Sequence, residues 1–165
     1  MTTEATVQDP RALRTAIGRF ATGVTIVTCL DAAGEPVGLT ANSFSALSLE
    51  PPLVLWSLRR SSVSLAAFEG ATHFAVNVLA ESQADLSRRF ASPVPEKFAE
   101  GSWTNGLGGA PVLAGAAAVF ECATHQALDG GDHRLFIGRV LRLAEQAIAP
   151  LVFHSGHYRM LGEIL

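Results

Sequence analysis

Apolar residues Leu13, Ile17 and Phe20 recur at helical spacing behind Asp9 and Pro10. This predicts a short amphipathic helix capped by Asp9, with the proline in its first turn, running to Gly18. After Gly23 the period shortens. VTIVTCL is apolar and β-branched, residues 31–36 (DAAGEP) supply turn chemistry, and residues 37–41 return, so a hairpin is expected. The polar stretch NSFSALS then reads as a strand-to-strand loop. Pro51 and Pro52 break the chain before LVLWSL, whose continuous apolar character predicts a strand buried on both faces.

Residues 61–68 read as a helix, and HFAVNVL as a strand with Asn77 near its middle. Ser82 followed by Asp85 resembles a capping box that opens a helix to Phe90. Residues 92–111, rich in proline, glycine and polar side chains, predict a long surface loop of the kind that often carries function. The clearest hairpin joins AAVFECATHQAL to HRLFIGRVLRL through Asp129, Gly130, Gly131 and Asp132. PLVFHSGHYRML adds a strand and an aromatic turn. Short strands joined mostly by hairpins predict a mainly β fold, an antiparallel β-barrel with short flanking helices, over a doubly wound sheet.

Composition narrows the classes. The 165 residues suit one domain over 1–165, and 48% hydrophobic content is enough for a core. With 16% charged residues and a net charge of -3, there is no cationic field for nucleic acid or an anionic membrane surface. Lys97 is the only lysine, and the basic pairs Arg59-Arg60 and Arg88-Arg89 are large enough to grip one small anion. Cys29 and Cys122 lie in apolar runs, as free thiols of a reducing compartment do. The opening MTTEATVQDP lacks a charged-then-apolar export pattern, and no apolar run approaches the ~20 residues that span a bilayer, so a cytoplasmic protein is expected.

Two hydroxyl-rich loops are the candidate chemistry. GLTANSFSALS ends a strand in small residues whose N–H groups and side chains can surround a planar or anionic ligand, or simply make local turn bonds. WSLRRSS delivers serines and arginines to a helix start, where they hold phosphate or merely cap. His133 begins a return strand beside Asp132, poised over a cleft or bonded within its own turn. Gly106, Gly108 and Gly109 do not form a dinucleotide fingerprint, because Pro111 takes the third glycine position. His154 and His157 point to opposite faces of a continuous strand, and no metal is expected.

Taken together, FATGVTIVT, GLTANSFSALSLEPPLVLWSL, FAVNVL, LSRRFA, GDHRLFIGRV and PLVFHSGHYRML, in this order over almost the whole chain, resemble the short-chain NAD(P)H:flavin oxidoreductases. That family has the FMN-binding split-barrel fold, and its members resemble the reductase components of two-component flavin-dependent monooxygenases. The resemblance implies FMN or FAD as flavin, NADH or NADPH as co-substrate, a homodimer, and a monooxygenase partner reached by diffusing reduced flavin. It places the flavin loop on Thr40, Ala41, Asn42 and Ser43, and the ring edge and phosphate on Ser57, Leu58, Ser61 and Ser62. It further implies Asn77, Leu79, Phe90, Ala91 and Tyr158 beside the flavin, Lys97 at its phosphate, and His133, within Gly131-Asp132-His133, against the nicotinamide. Three rivals share the barrel. They are a flavin-binding electron-transfer or storage protein without turnover, a pyridoxamine-phosphate-oxidase-like flavoprotein that needs a further basic cluster, and a heme- or metal-binding protein resting on His154 and His157.

Overall fold

A computed structural model of the chain describes residues 9–165. The expectation about an export signal rests mostly on residues 1–8, which lie outside the described residues. Helix α1 (Pro10–Ile17) forms as its sequence dictates, with Asp9 Oδ1 accepting the Arg11 N–H at 2.8 Å. Then come β1 (Thr22–Gly23), β2 (Thr25–Leu30), β3 (Pro36–Ala41), β4 (Ser45–Leu49) and β5 (Pro52–Arg59). Helix α2 (Leu65–Gly70), β6 (His73–Val78) and helix α3 (Ala84–Phe90) follow. The last strands are β7 (Trp103–Asn105), β8 (Pro111–Leu113), β9 (Ala118–Gly130), β10 (His133–Glu145), β11 (Val152–His154) and β12 (His157–Arg159).

Seven strands form the main antiparallel sheet in the order β3-β2-β6-β9-β10-β5-β4. Its two edge strands, β3 and β4, are separated in sequence only by Asn42, Ser43 and Phe44. A flat sheet cannot meet that constraint, because its outer strands lie several strand spacings of about 4.8 Å apart. The sheet therefore curls into a barrel whose seam runs past residues 42–44. Two small sheets, β1-β11-β12 and β7-β8, pack beside it.

One core cluster fills the barrel around Trp56, which stacks on Phe136 at 4.9 Å between ring centroids and meets Phe68 edge-on at 4.8 Å. A second cluster, including Val24, Ile26, Leu79, Phe90 and Leu113, seats α3 and the β7-β8 pair. The polar side chain of Asn77 joins these layers. It is fully buried, donates to the Ile26 carbonyl at 3.0 Å and accepts the Leu113 N–H at 2.8 Å.

The structure departs from the sequence expectations at five places. Strand β5 alternates, with Val54, Trp56 and Leu58 buried and Ser57 and Arg59 outward, because only one of its faces meets the barrel interior. NSFSALS contributes β4, whose pairing with β5 outweighs its polar composition. Residues 92–111 hold β7 and lead into β8, which are too short to carry a periodic signal. Helix α2 starts at Leu65, later than expected, and the turn before α3 is closed by Gln83 Oε1 accepting the Ala80 N–H at 2.9 Å, not by Ser82 and Asp85. Among the described residues no helix is long and apolar enough to cross a membrane.

Candidate functional site

A cleft of about 640 Å³ opens along the barrel seam. One wall is sheet. Thr40 and Ala41 end β3, Asn42 and Ser43 turn toward β4, and Ser57 and Leu58 end β5. Ser43 Oγ donates to the Ser57 carbonyl and accepts the Ser57 N–H, both at 3.0 Å, so it stitches the seam. Thr40 Oγ1 donates to the Ser87 carbonyl at 2.6 Å and ties β3 to α3. Ala41 and Leu58 keep their side chains in the core and present only backbone to the cleft. Beyond β5, Ser61 and Ser62 line the floor, and Ser62 Oγ accepts the Ser64 N–H at 3.2 Å.

The other wall is loop. Phe90 and Ala91 end α3, and Ser92, Pro93 and Lys97 complete the lining. The Lys97 ammonium donates to the Phe90 carbonyl at 3.0 Å and the Gly38 carbonyl at 3.5 Å, which leaves one proton for a ligand. Burial lowers its pKa from the ordinary lysine value. The loop is held by Arg89, whose guanidinium donates to the Lys97 carbonyl at 3.0 Å, the Glu96 carbonyl at 2.8 Å and Glu100 Oε1 at 3.2 Å. Glu96 sits there in the left-handed region with φ 52°, a conformation that the clamp helps to maintain.

The β9–β10 hairpin supplies the third side. Gly131 takes φ 64° at its tip, and the Arg60 N–H donates to the Asp132 carbonyl at 2.9 Å, fastening the tip to β5. His133 lines the cleft with Nδ1 2.7 Å from Asp132 Oδ1, so Nε2 remains available to a ligand. That hydrogen bond, and the charge of His133, hold the Asp132 carboxyl below its usual value. His133 is the cross-strand partner of Arg59, which also lines the cleft. The sequence offers Arg59 as a phosphate-gripping candidate in WSLRRSS, but the resemblance does not place it beside the flavin; alternation along β5 sets it on the face of Ser57.

Three implied residues fall outside this cleft. Asn77 and Leu79 are fully buried in the barrel and bear no part of its surface. Tyr158 lines a smaller neighbouring cavity of about 170 Å³, which shares Thr40, Asn42 and Ala91 with the cleft. Its Oη is 2.7 Å from Ser87 Oγ and the Arg88 guanidinium lies 5.0 Å above its ring. Of the two basic pairs, Arg60 is paired with Asp129, Arg88 with Asp85 and Arg89 with Glu100, while Arg59 lines the cleft. His154 and His157 face each other across the Ser155-Gly156 turn, so they share a face; a turn stands where a continuous strand was expected. No third metal-ligating residue joins them among the described residues.

The family described as flavin reductase like domain matches residues 17–162. The chain is 48% identical over 151 residues to the reductase subunit HsaB of a flavin-dependent monooxygenase of Rhodococcus jostii, which spans 91% of this chain and 77% of that protein. It is 47% identical over 154 residues to a "Probable flavin reductase" of Rhizobium meliloti, across 93% of this chain but 50% of that protein, so it spans half the length of that relative. Streptomyces globisporus NADH:FAD oxidoreductase SgcE6, solved in complex with NAD and FAD fragments, superposes with a TM-score of 0.93 at 37% identity, covering 98% of both chains. The chain belongs to the flavin reductase-like family and has the split-barrel fold of its solved relatives.

The residues of the cleft fit a flavin. Backbone groups of residues 40–43 and the Ser57 and Ser61 hydroxyls can meet the hydrogen-bonding edge of a planar ring, while one free Lys97 proton suits a phosphate.

Proposed function

We propose that the chain reduces FMN or FAD with NADH or NADPH and supplies the reduced flavin to a partner monooxygenase, with residues 1–165 acting as one flavin-binding domain in the cytoplasm. Held in the cleft, a flavin would supply the redox chemistry, as the acceptor of a hydride from nicotinamide. The protein's part is to orient and to exclude water, and no side chain needs to act as nucleophile. Thr40, Ala41, Asn42, Ser43, Ser57, Leu58, Ser61 and Ser62 border the ring, with Phe90 and Ala91 on the opposite wall. Donors along residues 40–43 and 57–62 are in position to stabilise the negative charge that reduction places on the ring edge. Lys97 holds the phosphate. His133 Nε2 hydrogen-bonds the nicotinamide carboxamide, with Asp132 fixing the ring.

The observation that carries this reading is the meeting, in one cleft, of both hydroxyl-rich loops with His133 from a distant hairpin. The free, buried thiols of Cys29 and Cys122, both pushed up to about 12 by burial, support a reducing compartment. NADH consumption by the purified chain, with and without added flavin, is the test; a yellow protein that leaves NADH and NADPH untouched would favour the storage or electron-transfer rival. In His133→Ala the KM for NADH rises about tenfold, the worth of roughly one hydrogen bond, while flavin affinity stays within about twofold. Unchanged NADH kinetics would remove His133 from the site.

A homodimer completes the proposal. Leu13 and Ile17 of α1 and Phe20 just after it are 46%, 64% and 77% exposed, and Leu141 and Leu143 of β10 are exposed as well, which is apolar surface suited to a second copy. A monomer by light scattering at micromolar concentration would sink this part.

A further inference from the structure

We propose that Asp129 is a positioning residue for the nicotinamide, holding the turn that carries Asp132 and His133 through one carboxylate oxygen shared between Arg60 and Arg134. This rests on the reading of His133 as the nicotinamide-side residue. The turn has little to hold it from within. Gly130 and Gly131 bear no side chains, a Cβ added at Gly131 would meet nothing within 4 Å, and glycine backbone is the most permissive of all. Its outer strand is open as well, because residues 126–130 of β9 pair only with β10, and β6 leaves β9 at Ala123.

The restraint comes from neighbouring elements. Arg60 grips the turn at both ends, its N–H donating to the Asp132 carbonyl at 2.9 Å and its Nη1 to Asp129 Oδ1 at 2.7 Å, with the two glycines between. The same Oδ1 accepts Arg134 Nη1 at 2.7 Å, and Arg134 Nε lies 3.1 Å from Glu69 Oε1 on α2. Asp129 thus laces β9 and β10 to the chain that follows β5 and, through Arg134, to the helix. A single exposed ion pair contributes little, but one carboxylate held by two guanidiniums from separate elements restrains geometry more than either pair alone. None of these four side chains lines the cleft, so their contacts reach a ligand only through the turn, whose residue in the cleft is His133. Long-range charge is the rival route, and it carries the opposite sign. Removing the Asp129 charge takes a carboxylate from Arg60 and Arg134 and makes the surroundings of the cleft more cationic, which draws in anionic NADH and lowers its KM. Loss of positioning raises it.

Asp129→Asn, made alone and in the His133→Ala background, tests the assignment by NADH kinetics of the full chain at saturating FMN, with calorimetric titration of FMN in parallel. The KM for NADH should rise about fivefold in Asp129→Asn, while kcat and FMN affinity stay within about twofold. Asp129→Glu, which keeps the charge on a longer arm, should recover most of that loss, and beside His133→Ala the Asn substitution should add nothing. A KM that falls or does not move in Asp129→Asn, an equal loss of FMN affinity, or a full further rise beside His133→Ala would overturn the proposal and leave the reading of His133 standing. Unchanged NADH kinetics in His133→Ala alone would overturn that reading and the proposal with it. A chain that consumes no NADH in the presence of FMN would overturn both.

Discussion

The two walls of the cleft are held in different ways. Along the sheet wall, Thr40–Ser43 and Ser57–Leu58 sit at the ends of strands whose ladder bonds and core neighbours fix them many times over. Along the loop wall, residues 92–97 have no ladder, and the Arg89 guanidinium supplies two bonds to them, at the Glu96 and Lys97 carbonyls, and a third to Glu100 just beyond. In the proposed binding mode the ring meets a redundant surface, and the phosphate one held chiefly by the side chains of Arg89 and Lys97. Redundancy spreads the effect of a substitution, whereas a single clamp concentrates it.

The largest effect should come from Arg89→Met. It strands two carbonyls and a carboxylate, costs about 2 kcal/mol in denaturant unfolding, and frees Lys97. The KM for FMN and FAD should then rise more than that for riboflavin, which has no phosphate; equal rises would show the clamp to be structural only. Ser43→Ala, on the sheet wall, removes one hydroxyl that both donates and accepts, and should cost about 1 kcal/mol with flavin kinetics nearly unchanged. A flavin affinity more sensitive to Ser43 than to Arg89 would reverse the comparison.

The smallest effect at neutral pH concerns the strand framework behind the sheet wall. Glu121, on β9, is held below the ordinary glutamate value, chiefly by its hydrogen bond from Arg142, with the Leu107 N–H at 2.7 Å adding to it. A carboxyl whose folded value is depressed contributes stability that is present above its unfolded value and lost as the pH falls through the folded one. Stability should therefore decline in the acid range below the usual glutamate titration, and Arg142→Met should flatten that decline. Urea midpoints measured from neutral to acid pH would check it, and an unchanged acid slope in the variant would exclude the pair as its source.

What was legible in the sequence was local. Asp9-Pro10 fixes α1, the glycines of the Asp129–Asp132 run fix the long hairpin, and the two hydroxyl-rich loops reach one cleft because each terminates a strand. What was illegible was relational. The strand β4 forms because β5 offers it an edge, and Arg89 matters because residues 96 and 97 fold back on it. Asn77 reads as a polar side chain in a strand beside a ligand, yet its amide spends its bonds joining two parts of the barrel. That Arg59 shares the face of Ser57 was recoverable from period-two alternation, which a uniformly apolar reading of β5 concealed.

The three-residue link of Asn42, Ser43 and Phe44 is also a tether. From Ala41 to Ser45 the chain can stretch no further than about 14 Å, so the two edges of the sheet cannot part by more than that while both strands persist. Such a barrel behaves as a clasp with one fixed jaw. Any widening of the cleft is left to the jaw that bears Pro93 and Lys97, which no strand pairing ties and which Arg89 holds through the carbonyls of Glu96 and Lys97.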